Sequence, residues 1–307
     1  VQEVVEMLDA HHPRADDAVA ECRRVRAHEM ASLRAMTQTL INSQSRRIGE
    51  FEVGPLAYGC WRFTTDSVDD ARGLIETALD LGMNLIDNAD VYGFDWGGTG
   101  FGANEELLGK VLASAPELRD RMVLASKGGI MPPMPYDSSR TYLESACDAS
   151  LRRMQTDVID LYQIHRPDML THPAEVATTL ASLREKGKIR EVGISNHTPA
   201  QHEALAAHLP FPLATTQPEY SPATLDPLRN GTFDLCMREG VVPLAWSPLG
   251  GGRLISGEGV RPELITLLDE LAEREGVDRA AICIAFVLAH PSAPVAILGT
   301  QTPARLE

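Results

Sequence analysis

Four side chains in this sequence, Asp87, Tyr92, Lys127 and His165, could together move a proton. They lie in the segments IDNADVYG, VLASKGG and YQIHRPD, each at or just after an apolar run that is typical of a β-strand. A free phenol has a pKa of about 10, so it exchanges protons poorly near neutral pH unless a nearby cation lowers that pKa. The spacing places an amine at the end of a neighbouring strand, where Lys127 could supply the cation.

Strand-like and helix-like segments alternate from about Pro55 to the end of the sequence. The strand-like segments are short apolar runs, as expected for parallel strands that are buried on both faces. The helical segments repeat apolar residues three and four positions apart, and Asn104 and Thr198 are typical first residues for two of them. Eight such units predict an α/β protein with a (β/α)8 TIM barrel, in which function collects on the loops after the strands. The predicted strands are PLAYG, NLIDN, RMVLASKG, DVIDLYQIH, IREVGISN, PLATTQPE, VVPLAWS and PVAILG.

Residues 1–46 do not follow this alternation and predict a helical N-terminal extension to a barrel over residues 47–307. Two helices are expected, over residues 2–10 and 14–41, with a break near Pro13. Three interpretations remain open: a helix packed on the outside of the barrel, a dimerisation or docking helix, and a fusion remnant. The third arises because the segment HPRADDAVAECRRVRAH is similar to the last helices of a ligand-binding domain in some bacterial transcription regulators.

The composition is ordinary for a soluble globular protein, with 44% hydrophobic and 23% charged residues. A net charge of −15 argues against nucleic acid and anionic membranes as partners. The sequence has no long apolar run and no signal-like start, and its five cysteines are scattered. We therefore expect a cytoplasmic protein with free thiols and no metal site, and the sequence leaves the choice between monomer and homo-oligomer open.

One glycine-rich segment, residues 98–103, matches the pattern G-x-G-x-x-A ahead of a predicted helix. Alone it would suggest a dinucleotide-binding fold, in which such a turn follows its strand tightly. Here residues 91–96 intervene, and the later units continue the barrel alternation. We interpret this segment as a flexible loop that borders the active site.

From Arg46 onward the sequence resembles the aldo-keto reductase family, in particular a bacterial branch with the motifs IHRPD and AWSxLGGGRL. The resemblance implies a (β/α)8 barrel that binds NADP(H) across the C-terminal ends of its strands. It also implies that a small-molecule carbonyl substrate, an aldehyde or ketone, is reduced to an alcohol by hydride transfer. The matching segments, in the family's order, are YGCW, IDNADVYG, SKGG, DLYQIHRPD, VGISN, TTQPEY, AWSPLGGGRL and ILGTQTPARL.

The resemblance assigns a role to each of the four side chains, and each role has a physical reason. Tyr92 is the general acid that protonates the carbonyl oxygen, and Lys127 lowers the pKa of the phenol. Asp87 keeps Lys127 charged and in place. His165 donates a hydrogen bond to the substrate oxygen and orients it.

Cofactor contacts follow from the same resemblance, position by position. Ser195, Asn196 and Gln217 would hold the nicotinamide carboxamide, and Trp246 would stack on the nicotinamide ring. Arg305 would pair with the adenosine 2′-phosphate, which favours NADP(H) over NAD(H). The sequence departs from the family at Gly299, where a lysine is common. The other expected contacts are Cys60, Trp61, Arg62, Ser247, Pro248, Leu249, Gly250, Arg253, Gly299, Thr300 and Gln301.

The glycine-rich loop 247–253 would wrap the cofactor pyrophosphate with backbone N–H groups. The sequence stops at Glu307, where relatives continue into an eighth helix, so we expect the outer face of the last strand to be uncovered. Two alternative functions remain open: a cofactor-binding regulatory or sensor subunit with negligible turnover, and an NAD-dependent sugar dehydrogenase on the same fold. The residues expected to line the substrate pocket are Trp61, Phe94, Trp96 and Met131.

Overall fold

The computed structural model describes residues 41–306. The helices predicted for the N-terminal extension, and with them Cys22, lie outside the described residues. The strands are β1 (Arg46–Ile48), β2 (Phe51–Val53), β3 (Leu56–Gly59), β4 (Leu85–Asp87), β5 (Val123–Gly128), β6 (Ile159–Ile164), β7 (Ile189–Ser195), β8 (Thr215–Gln217), β9 (Val242–Ala245) and β10 (Val295–Leu298). The α-helices are α1 (Val68–Asp80), α2 (Ala103–Ser114), α3 (Arg140–Met154), α4 (Pro173–Glu185), α5 (Pro199–Ala206), α6 (Asp226–Arg229), α7 (Thr232–Glu239), α8 (Arg253–Ser256), α9 (Pro262–Glu275) and α10 (Arg279–Leu288).

Eight parallel strands, β3 to β10, close into a barrel in chain order, with β10 paired to β3. The predicted (β/α)8 barrel is therefore confirmed. Every residue of β4, β5 and β6 is buried, because the barrel core covers one face of each strand and the helices cover the other. A closed barrel also rules out the dinucleotide-binding interpretation of residues 98–103, of which residues 98–102 form bends and turns and residue 103 begins α2.

A short antiparallel hairpin precedes the barrel and was not predicted from the sequence. Its strands β1 and β2 pair Arg46 with Val53 and Ile48 with Phe51. The buried side chains of Ile48 and Val53 pack with the barrel interior, in a cluster that includes Leu85 at the start of β4. The hairpin therefore covers the end of the barrel that lies opposite the loops after the strands.

Two helix starts were predicted, and the structure confirms one of them. The Thr198 hydroxyl accepts from the Gln201 backbone N–H and forms a capping box ahead of α5, as expected. The prediction that Asn104 begins a helix was wrong by two residues, since the N-cap of α2 is Gly102 with φ 84°. Asn104 instead lies inside the first turn and donates from Nδ2 to the backbone oxygens of Cys60 and Trp61, at 2.6 and 3.2 Å.

The outer face of the last strand is covered, contrary to our expectation. Ala296, in the middle of β10, is fully buried and belongs to a cluster with Val287 and Leu288 of α10. The helix that precedes β10 thus supplies the apolar cover that we expected only from a helix after it. Beyond the strand the chain forms a single helical turn at Pro303–Arg305, and Leu306 packs into the large core outside the barrel.

Candidate active site

The four predicted catalytic side chains converge where β4, β5 and β6 end. The Lys127 ammonium is their centre: Nζ lies 2.7 Å from Asp87 Oδ2, 2.9 Å from the Asn88 backbone oxygen and 3.1 Å from the Tyr92 hydroxyl oxygen. The rings of Tyr92 and His165 meet edge to face with their centroids 5.7 Å apart. Because Lys127 is fully buried, the Asp87 carboxylate rather than water compensates its charge.

The pKa of Tyr92 is raised, whereas the sequence predicted that it would be lowered. Burial raises it above its ordinary value and Asp87 raises it further, so that the lowering by Lys127 offsets only part of the rise. Burial alone would lower the pKa of Lys127, but Asp87 and Tyr92 reverse this and the net change is upward. Both groups are therefore protonated at neutral pH, which suits a phenol that gives a proton away.

His165 is a neutral imidazole beside the phenol. Its backbone N–H donates to the Gly128 oxygen at 2.9 Å, which sets the residue directly after β6. Burial lowers the pKa of His165 well below its ordinary value, and the charges of Lys127 and Arg166 lower it further. Its buried Nδ1 has no hydrogen-bond partner within residues 41–306. A neutral imidazole carries one N–H, which can hold an oxygen without adding a second acid.

A second group of polar and aromatic side chains lies where β7, β8 and β9 end, and it consists of Ser195, Asn196, Gln217 and Trp246. Trp246 Nε1 donates to Asn196 Oδ1 at 3.0 Å, and Asn196 Nδ2 donates to Ser195 Oγ at 2.8 Å. Ser195 Oγ in turn donates to the Gln217 backbone oxygen at 3.0 Å. Gln217 Nε2 donates to Asp87 Oδ1 at 3.1 Å, so the two groups share one carboxylate.

The loop after β9 forms an open turn of three glycines. Gly250, Gly251 and Gly252 have φ values of 60°, 70° and 98°, a left-handed backbone that other residues rarely adopt. A Cβ built at Gly251 or Gly252 would meet no atom within 4 Å, so this side of the turn has room for a ligand. Arg62 donates from Nη2 to the Gly251 oxygen at 3.0 Å, and the exposed Arg253 donates from Nε to the Gly250 oxygen at 3.0 Å. Ahead of the glycines, Pro248 is buried and Ser247 and Leu249 are half-buried.

The residues expected at the adenosine end follow β10. The Thr300 backbone oxygen accepts from the Tyr58 hydroxyl at 3.1 Å, which ties this segment to β3. Gly299, Gln301 and Arg305 are exposed. In the part of the chain that the structure describes, no carboxylate forms an ion pair with Arg305.

The three residues that follow β3 differ in the burial and the contacts of their side chains; they are Cys60, Trp61 and Arg62. The Cys60 side chain is fully buried in the core outside the barrel, so any contact of this residue with a cofactor would have to come from its backbone. The Arg62 guanidinium lies over the rings of Trp96 and Trp61, at 4.5 and 5.4 Å from their centroids. This stack stands next to the glycine turn that Arg62 contacts.

The residues predicted to line the substrate pocket divide between two places. The Trp61 and Trp96 rings pair with their centroids 5.4 Å apart. Phe94 and Met131 instead border a cavity of about 350 Å³. Tyr92 is absent from its lining, which consists of Asp90, Phe94, Phe101, Met131, Pro132, Tyr142, Ser145, Ala146, Ala149 and Arg153.

Two polar residues of the site were missed in the sequence. Asn104 fixes the turn after β3 through its two backbone contacts, and it resembled an ordinary helix start. Gln163 donates from Nε2 to Asp87 Oδ1 at 3.3 Å, and it stands in the apolar run of a predicted strand. A lone glutamine in a strand that is buried on both faces was the available signal, because such a group needs a partner.

Within residues 41–306, no cluster of three or more histidine, cysteine or acidic side chains could hold a metal ion. The same residues contain no helix that is both long and apolar enough to cross a membrane.

The fold and the site are those of a (β/α)8-barrel enzyme, and comparison with known proteins agrees. Residues 55–307 match the Aldo/keto reductase family. A 6-dehydroglucose reductase of Novosphingobium aromaticivorans is 50% identical over 83% of this chain and 84% of its own length. A second 6-dehydroglucose reductase, from Agrobacterium fabrum, is 35% identical over 84% of this chain and 88% of its own length.

Solved structures give the same result. The glycerol dehydrogenase AKR11B4 from Gluconobacter oxydans superimposes with a TM-score of 0.74 at 27% identity, over 87% of this chain and 89% of its own. The thermostable aldo-keto reductase Tm1743, in complex with epalrestat, gives a TM-score of 0.73 at 27% identity, over 85% and 91% of the two chains. The chain therefore belongs to the aldo/keto reductase family and is an oxidoreductase.

Proposed function

We propose that the protein reduces an aldehyde on a sugar-like substrate to an alcohol, with NADP(H) as cofactor. The observation that carries the proposal is the position of the Lys127 ammonium, 2.7 Å from Asp87 Oδ2 and 3.1 Å from the Tyr92 hydroxyl oxygen. A buried phenol held against a charged amine is equipped to protonate an oxygen that becomes strongly basic during reduction.

Each of the four side chains has a defined task in this reaction. Tyr92 donates its hydroxyl proton to the carbonyl oxygen. Lys127 stays charged throughout, held by Asp87, and stabilises the phenolate that the proton transfer leaves behind. The neutral His165 donates a hydrogen bond that orients the same oxygen. Bound NADP(H) supplies the hydride to the carbonyl carbon.

The residues present fit this cofactor. The open glycine turn offers backbone N–H groups and space for a pyrophosphate, with Arg253 exposed beside it. Asn196 and Gln217 bring amide donors and acceptors to the strand ends, and these would hold the carboxamide next to the Trp246 ring. The exposed Arg305 would take the 2′-phosphate.

The substrate class rests on the relatives. The two 6-dehydroglucose reductases are named for a sugar that carries a carbonyl group, and L-glyceraldehyde 3-phosphate reductase of Escherichia coli, 28% identical, is named for another. The Trp61 and Trp96 rings, which pair in the segments that follow β3 and β4, suit such a ligand because apolar C–H groups of a sugar can pack on aromatic rings. We therefore propose 6-dehydroglucose as the first substrate to test.

The test is steady-state oxidation of NADPH, followed by absorbance, with 6-dehydroglucose, glyceraldehyde and an activated aromatic aldehyde. We expect turnover, with 6-dehydroglucose giving the highest kcat/KM. Tight NADPH binding without turnover across this panel would contradict the proposal and favour a regulatory subunit. Turnover only in the direction of sugar oxidation with NAD would favour the dehydrogenase alternative.

Replacing Arg305 with alanine should weaken NADPH binding about tenfold and leave NADH binding unchanged, because one exposed charge-assisted contact to the 2′-phosphate is lost. Binding is measured by fluorescence titration with both cofactors. Arg229→Ala, which removes an exposed arginine from the end of α6, serves as the matched control and should change neither affinity. An equal loss of affinity for NADPH and NADH would show that Arg305 does not bind the 2′-phosphate.

A further inference from the structure

The Asp87 carboxylate has a donor on each of its oxygens. Oδ2 accepts from Lys127 Nζ, while Oδ1 accepts from Gln217 Nε2 at 3.1 Å and from Gln163 Nε2 at 3.3 Å. All four side chains are buried. Water cannot replace a lost donor at such a place, so each of these hydrogen bonds matters to how the carboxylate sits.

Gln163 is itself held by a partner on another strand. Thr215 Oγ1 donates to Gln163 Oε1 at 3.3 Å. The strand register sets Gln163, Gly193 and Thr215 side by side on β6, β7 and β8. A Cβ built at Gly193 would lie 2.0 Å from Thr215 Oγ1 and 3.1 Å from Gln163 Cγ. The glycine therefore leaves the gap across which the hydroxyl reaches the amide.

The direction of these hydrogen bonds is determined by chemistry. An ionised carboxylate only accepts, so Gln163 must turn its Nε2 toward Asp87 and its Oε1 toward Thr215. The Thr215 hydroxyl must then donate. For the same reason Gln217 turns its Nε2 toward Asp87 and keeps its Oε1 away from the carboxylate. One buried carboxylate thus orients two amides and one ammonium.

We propose that Gln163 is a positioning residue that, together with Thr215, holds Asp87 in place against Lys127 during turnover. The inference rests on the proposed function, in which Gln217 contacts the nicotinamide carboxamide. When Gln217 turns to the cofactor, Gln163 is the donor that remains on Oδ1. Asp87 then keeps Oδ2 on Lys127, and the amine stays beside the phenol.

Replacing Gln163 with leucine removes this donor and leaves a branched apolar side chain that is one bond shorter. We expect kcat for aldehyde reduction to fall about tenfold, since one hydrogen bond to a charged group is lost. The KM for the aldehyde should change less than about twofold, because Gln163 contacts Asp87 and not the substrate. Steady-state kinetics with NADPH in excess measures both.

Replacing Gln163 with glutamate gives a signature that a merely structural role would not produce. At pH 8 the new carboxylate faces Asp87 and should lower kcat about a hundredfold through like-charge repulsion. At this buried position the charge of Asp87 raises the pKa of the new carboxyl above its ordinary value of about 4.3, so at pH 5.5 it can be protonated and donate its O–H to Asp87 Oδ1. The ratio of variant to wild-type kcat should then recover to within about threefold. The Gln163→Leu ratio should stay constant over the same range.

Two threonine variants serve as a matched pair. Thr215→Val removes the donor that orients Gln163 and should lower kcat about threefold. Thr179→Val removes an equally buried hydroxyl that donates to Glu175 O within α4, away from Asp87, and it should leave kcat unchanged. A Gln163→Leu variant with wild-type kcat, or a pH-independent Gln163→Glu ratio, would overturn the inference.

Failure of the proposed function would show differently, as a wild-type protein that reduces no aldehyde. In that case urea unfolding decides the inference by itself. If Gln163 contacts Asp87, Gln163→Glu should unfold at lower urea concentration than wild type at pH 8, and the difference should shrink at pH 5.5. In a protein that already carries Asp87→Asn, adding Gln163→Glu should change the urea midpoint at pH 8 much less than it does in the wild-type protein. An equal difference at both pH values, or one that Asp87→Asn leaves intact, would contradict the contact.

Discussion

Tyr92→Phe should lower kcat for aldehyde reduction about a thousandfold, within the range expected when a general acid is removed. The ring stays, so its edge-to-face contact with His165 is kept and only the proton donor is lost. Lys127 keeps two of its three acceptors, Asp87 Oδ2 and the Asn88 oxygen. We therefore expect the free energy of unfolding and the affinity for NADPH to stay close to wild-type values.

Steady-state kinetics and cofactor titration separate these effects. The matched control is Tyr136→Phe, which removes an exposed phenol from the loop after β5 and should leave kcat unchanged. A Tyr92→Phe variant that keeps a tenth or more of the wild-type kcat would mean that another group or water delivers the proton.

The pH profile follows from the direction of the Tyr92 pKa. Reduction needs the protonated phenol, and the protonated fraction falls as the pH rises through that pKa. Because burial raises the pKa of Tyr92 above its ordinary value of about 10, this residue should cause little loss of rate between pH 7 and about pH 9. If the lowering of the Tyr92 pKa by Lys127 had outweighed the effect of burial, the rate would fall within that pH range.

The strand-end residues could be predicted because parallel strands expose their C-terminal ends at one face. Asp87 and Lys127 are forty positions apart, yet apolar runs just before each one place both at that face. The net direction of the Tyr92 pKa could not be predicted, because it depends on how deeply the phenol is buried, and a sequence pattern does not contain that quantity. The sequence indicated a cation near the phenol, and the burial that outweighs it arises only in the folded barrel.

Other features escaped prediction because their partners are distant in the chain. Gln163 stands in an apolar run, and its meaning depends on Thr215, two strands away, and on the gap at Gly193. Asn104 has a typical helix-start environment, but its side chain reaches a backbone oxygen 44 positions earlier. The β1–β2 hairpin has strands of only three residues, too short for an alternation to be read. In each case the local pattern was compatible with the fold but did not specify the contact.

Lys127→Met should abolish reduction and also destabilise the protein by about 3–5 kcal/mol, since it leaves the Asp87 carboxylate buried without its cation. The pair is almost completely shielded from water, with side-chain exposures of 0% for Lys127 and 3% for Asp87. Urea unfolding at neutral pH measures the loss of stability, and the NADPH assay measures the loss of activity.

The double variant Asp87→Asn, Lys127→Met separates the two roles of this ion pair. It removes both charges together, so most of the lost stability should return, because a buried pair contributes little beyond the cost of burying its members. Activity should not return, since the phenolate left by Tyr92 still lacks its cation. A double variant as unstable as Lys127→Met would show that the ammonium stabilises the fold through its contacts with Asn88 and Tyr92 rather than by compensating Asp87. A double variant with wild-type stability and no turnover would show that the Asp87–Lys127 ion pair serves catalysis rather than folding. The need for a charged amine beside the phenol would then explain why this position holds a buried ion pair, although uncharged side chains would fold equally well.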